Sequence, residues 1–124
     1  MRRSAMLICL TVLSSTCFGN DMYRAPSPGD SGKYYVLNVE KDGKGMFRVL
    51  SSRIGKANAY TDFTRLKVNC LSRQYFELAG SSENGAKNSP TKPLKDWSQH
   101  SKWVSLVPGS SKSDLVGFVC RKYQ

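Results

Sequence analysis

The sequence predicts an α+β domain: an antiparallel sheet of about five strands, a short C-terminal helix packed on one face, and one disulfide. Three observations predict it. Apolar and polar residues alternate in short segments separated by Gly-, Ser- and Asn-rich turns, only the last apolar stretch has helical spacing, and two cysteines far apart remain after an N-terminal export-type segment is set aside.

Residues 1–19, "MRRSAMLICLTVLSSTCFG", have the three parts of a secretory signal: Arg2 and Arg3, an apolar run over 5–13, and small residues before a cut after Gly19. A lipoprotein signal acylated at Cys17 is a rival that the sequence disfavours, because Ser14 stands where leucine is usual. Residues 20–33, with two prolines and two glycines, are expected to form a flexible leader, so the single domain is placed at 34–124. "YYVLNVE" at 34–40 alternates as a strand, with Tyr35, Leu37 and Val39 on one face. "KDGKG" supplies a turn into "MFRVLS" at 46–51.

The clearest alternation is "YTDFTRLKVNC" at 60–70. It places Thr64, Leu66, Val68 and Cys70 on one face and Phe63, Arg65 and Lys67 on the other. "RQYFELAG" at 73–80 is the next strand and closes on Gly80. Residues 80–96 lack periodicity and are expected to form a long surface loop. "KWVSLV" at 102–107 is the last expected strand, stopped by Pro108 and Gly109. Ser111 and Asp114, three apart before Leu115, Val116, Phe118 and Val119, then mark a capped helix start.

Removal of residues 1–19 takes Arg2 and Arg3 and no acid from a chain of 19 Lys+Arg and 9 Asp+Glu, so the net charge falls from +10 to +8. That balance favours acidic partners. Export argues against nucleic acid, which leaves a protein with an acidic surface as the expected partner. Cys9 and Cys17 leave with the signal, and in an oxidising compartment Cys70 and Cys120 are expected to form a structural bridge that bolts the short helix to the central strand.

No reactive constellation emerges, and an enzyme is not expected. "GDSG" at 29–32 resembles the surroundings of a protease serine, but the only histidine, His100, sits in a polar stretch, and the domain is too small for a two-barrel protease. Ser89 and Lys92 have S-x-x-K spacing without a K-T-G. One histidine and two paired cysteines do not make a zinc site, so neither metal nor cofactor is expected. What remains is recognition by a surface. Phe63, Arg65 and Lys67, with Arg73 on the next strand, form the candidate binding face, where charge and an aromatic ring act together.

A strand running into a cysteine, "RLKVNC", then "SRQYFELAG", a variable loop, "WVSLVPGSS" and a terminal "LVGFVC" resemble the surface-adhesin protein E family of small exported bacterial proteins, over residues 34–122. Asn69 departs from the acidic residue usual before the first cysteine of that family. The resemblance implies an antiparallel sheet backed by helix, a Cys70–Cys120 bridge, and adhesion at the bacterial envelope to host matrix or serum proteins. The expectation is therefore a non-enzymatic exported protein of the periplasm or outer-membrane surface. Its rivals are a periplasmic inhibitor or immunity-type protein of an acidic enzyme, and an accessory part of an envelope secretion or conjugation system.

Overall fold

The computed structural model describes residues 17–124, with side chains from residue 20 onward. The expected signal segment lies outside the described residues up to position 16. Its last three residues open the first strand.

Seven strands of the described residues form one antiparallel sheet: β1 (Cys17–Arg24), β2 (Lys33–Lys41), β3 (Met46–Ile54), β4 (Tyr60–Asn69), β5 (Gln74–Asn84), β6 (Lys95–Asp96) and β7 (Val104–Ser105). The order is β1-β2-β3-β4-β5-β6, and β7 pairs with the other end of β5. Among the described residues one helix, α1 (Ser111–Tyr123), lies across one face. The α+β class, the helix and the Cys70–Cys120 disulfide are as expected, with more strands than five.

Each strand follows from its neighbours. The β2–β3 hairpin closes where Asp42 N–H donates to the Met46 carbonyl at 2.8 Å. Gly45 there has a φ of +69°, and a side chain at that position would run into Leu71, so glycine is required twice over. In β2 the register jumps between Val36 and Asn38, leaving Leu37 unopposed. That bulge turns Val36 and Val39, three residues apart, toward the helix. It overrides the simple alternation of Tyr35, Leu37 and Val39 on one face. A second bulge leaves Leu78 of β5 unopposed, between the pairs Arg65–Ala79 and Leu66–Glu77.

The main core lies between sheet and helix. Val36, Val39, Phe47, Val49, Leu66 and Val68 meet Leu115, Val116 and Val119, with both half-cystines inside the same cluster. Cys70 leaves the end of β4 and Cys120 sits in the last turns of α1, with Cα atoms 5.7 Å apart. The helix starts one residue earlier than its sequence suggests: Ser110, not Ser111, is the N-cap, its Oγ accepting from Ser113 N–H at 3.1 Å. Asp114 does stand in the first turn, where its carboxylate favours the helix dipole, and it also accepts from Arg24 Nη1 at 2.9 Å.

Three segments differ from expectation. Residues 20–24, expected within a leader, belong to β1 and pair with β2, and Arg24 ties that strand to Gly109 and Asp114. The turn beyond them is held by reciprocal 2.9 Å backbone bonds between Ser27 and Asp30. β5 continues past Gly80 to Asn84 because Ser81–Asn84 complete the ladder with Tyr60–Phe63, although their types favour turns. The loop is thus reduced to residues 85–94. Finally, the expected strand at 102–107 contracts to Val104–Ser105 against Tyr75 and Gln74.

Candidate protein-binding face

The face of the sheet turned away from α1 carries the predicted residues, and it divides into a closed part and an open part. Phe63 belongs to the closed part: it is wholly buried, between Ser52 and Ser81 on the neighbouring strands. Thr61, two residues away on the same face, accepts from Lys87 N–H at 2.9 Å and donates to the Gly85 carbonyl at 2.7 Å. Buried Glu83, opposite Thr61, takes Thr91 N–H at 2.8 Å and Thr91 Oγ1 at 2.7 Å on its two oxygens, and these bonds hold its carboxyl below the usual range. Segment 85–94 is drawn onto this face by those bonds. Phe63 is therefore a core residue, and the reading of it as a contact ring is corrected.

The open part lies beyond it. Arg65 and Lys67 are half-buried on the outer face, as alternation requires. The register brings a cation that sequence spacing did not reveal: Arg48 of β3 lies directly opposite Lys67, which on its other side opposes Phe76 of β5. Phe76 packs against Trp103 with ring centroids 5.6 Å apart, and Trp103 is 38% exposed. A cross-strand row Arg48–Lys67–Phe76 thus ends on an exposed indole, with Arg65 diagonal to Arg48. Arg73 does not join it. It occupies the β4–β5 turn at a φ of +59° and is exposed there, rather than standing on the paired strand.

Like charges opposite each other in a sheet repel. Glu40 opposes Arg48 from the other side and Asp42 approaches it at 3.9 Å, but Arg65 and Lys67 make no ion pair among the described residues. Close basic side chains without acidic partners, beside an exposed aromatic pair, form a surface that an acidic segment would relieve electrostatically and pack against. The row could have been suspected from "FRV" at 47–49, whose central arginine alternates with core residues, but its pairing with Lys67 depends on register.

The remaining polar clusters have structural roles. Asp30 of "GDSG" accepts from Tyr34 OH at 2.8 Å, Arg53 Nη2 at 3.0 Å and Gly32 N–H at 3.1 Å. The Tyr34 and Arg53 bonds, in that order, lower its carboxyl from 3.8 to about 2. Arg53 also donates to Tyr34 OH and Tyr60 OH, at 2.9 and 2.6 Å. Ser31 adjoins β2, whereas His100 ends a turn at Ser98–His100 beside β5, three strands further across. Among the described residues no group of three His, Cys, Asp or Glu could hold a metal ion, and no helix is long and apolar enough to cross a membrane.

No family model, curated protein or solved structure matches the chain.

Proposed function

We propose that this chain is a non-enzymatic exported protein of the bacterial envelope that binds an acidic segment of another protein through the outer face of β3, β4 and β5. The observation that carries the reading is the row Arg48–Lys67–Phe76 with Arg65 beside it and Trp103 packed on its end. Cations there set charge complementarity, and the aromatic pair adds contact area. The disulfide agrees with an oxidising compartment. Adhesion to host matrix or serum proteins, implied by the resemblance to surface-adhesin protein E, is the form of this reading that we carry forward. One observation favours a second reading, an inhibitor or immunity-type protein of an acidic enzyme: loop 85–94 is fixed in place by Thr61 and Glu83, and a pre-ordered loop loses little entropy on entering a cleft.

The test is binding of purified residues 20–124 to a panel of immobilised acidic matrix and serum proteins. Binding should weaken as ionic strength rises beyond about 0.15 M and should be lost in the variant Arg65→Glu/Lys67→Glu. Absence of binding across the panel at low salt, or binding that ignores both changes, overturns the proposal.

A further inference from the structure

The helix side of the sheet holds a recess that the basic face does not use. Register pairs Asp62 with Ser82 and Thr64 with Gly80, so these four residues share the face on which α1 lies further along the strands. They floor an open cavity of about 580 Å³. Such a volume suits a small organic ligand.

One wall is built around a missing side chain. A Cβ at Gly80 would overlap the six-membered ring of Trp97, so the indole stands where that side chain would be. Trp97 N–H donates to the Leu78 carbonyl at 2.8 Å, and Ser101 Oγ donates to the Trp97 carbonyl at 3.0 Å. The ring is therefore fixed from both its backbone and its face. Glu77 also lines the cavity and receives Lys112 Nζ of α1 at 3.5 Å. Asp62 is hydrogen-bonded by Ser82 Oγ, and Lys95 brings a second ammonium to the rim.

The balance of these groups selects a ligand class. Of the two carboxylates in the lining, Glu77 is paired with Lys112 from outside it and Asp62 shares the cavity with Lys95, so little net charge is left to attract a polyanion or a polycation. It offers strong acceptors and donors side by side, with one indole for an apolar face. A neutral pyranose has that complement: hydroxyls that donate to carboxylates and accept from ammonium and hydroxyl groups, and a C–H face that lies on an aromatic ring. A smaller recess of about 160 Å³ shares Asp62 and Thr64 and runs on toward Arg53 and Lys112, which leaves room for more than one ring. We infer that the Trp97 recess is a binding site for a neutral oligosaccharide, seated with one ring on the indole and its hydroxyls on Asp62 and Glu77. The site is separate from the basic face and stands or falls independently of it.

The experiment is a titration of the ¹⁵N-labelled chain with a set of neutral tetrasaccharides, including cellotetraose and chitotetraose, followed at the indole N–H resonances and assigned with Trp103→Phe. At least one sugar should move the Trp97 resonance saturably. Asp62→Asn should weaken that sugar about tenfold or more, the loss of a hydrogen bond to a charged group. Gly80→Ala, which displaces the indole, should abolish the shift, and Trp97→Phe should keep part of it. Melting curves show that each variant is folded. If Trp97→Phe does not fold, Asp62→Asn alone decides. No movement of Trp97 with any neutral sugar at about 10 mM, a weak-binding concentration, overturns the inference. So does a larger response to butylamine or to tetra-aspartate than to every sugar.

Discussion

Removing the disulfide is the sharpest perturbation of this fold. The bridge spans 50 residues and joins the end of β4 to a 13-residue helix. A helix of that length is marginal on its own and is held by what it buries. The chain-entropy treatment of a loop this long gives roughly 4 kcal/mol of stabilisation from restricting the unfolded chain. Both half-cystines are 7% exposed and lie in the core, so alanine at both positions also deletes buried sulfur, adding about 1 kcal/mol without introducing a hydroxyl. For a domain of this size each kcal/mol moves the midpoint by about 4–8 °C, so Cys70→Ala/Cys120→Ala should melt roughly 20 °C or more below the parent. The assay is far-UV circular dichroism against temperature, with and without reductant. Reductant should lower the parent toward the variant and leave the variant unmoved. A variant melting within about 5 °C of the oxidised parent, less than one-third of the shift worked above, would refute the reasoning.

Other consequences follow from single residues. Phe63→Ala empties a fully buried site and should cost about 3–5 kcal/mol in urea unfolding; a cost below 1 kcal/mol would return Phe63 to the surface. Asp30→Asn bears on acid stability. Because its folded pKa lies below the ordinary 3.8, Asp30 contributes stability that is fully present above about pH 4 and is lost as pH falls toward 2. The asparagine variant should be less stable at neutral pH and have a flatter acid profile, and identical profiles by pH-dependent denaturation would contradict the Tyr34 and Arg53 hydrogen bonds. Ser110→Ala should destabilise by about 1 kcal/mol through loss of the cap, whereas Ser111→Ala should be nearly neutral; the reverse order would move the helix start back to Ser111.

Strands β2 to β5 and the helix were legible because their residues keep a period of two or a helical spacing over several positions. The faces of β2 were not, since the bulge at Leu37 reverses the alternation midway and nothing local marks it. Residues 20–24 run into a Pro- and Gly-rich stretch and Ser81–Asn84 are mostly turn-forming types, and both are strands because a neighbour supplies the ladder. On the face proposed for binding, alternation put Arg65 and Lys67 on the outer side of β4, as the register has them. Phe63 is wholly buried, and its neighbours on that face, Thr61 and Glu83, hold segment 85–94 through bonds that for Thr61 span 24 to 26 residues, which alternation alone does not reveal. Arg48 enters through register, which a linear reading does not supply. The Trp97 recess was not legible, because Gly80 reads as the end of a strand and is seen as a close-approach glycine only once β5 runs on to Asn84.

The central claim is that a specific row, and not the overall positive charge, meets the acidic partner. It is tested most directly by titrating the ¹⁵N-labelled domain with an acidic peptide bearing an aromatic residue and mapping the perturbed resonances. The account predicts that they concentrate at Arg48, Arg65, Lys67, Phe76 and Trp103. Shifts spread evenly over remote cations such as Lys33, Lys56 and Lys92, with that row no more affected than the rest, would contradict it.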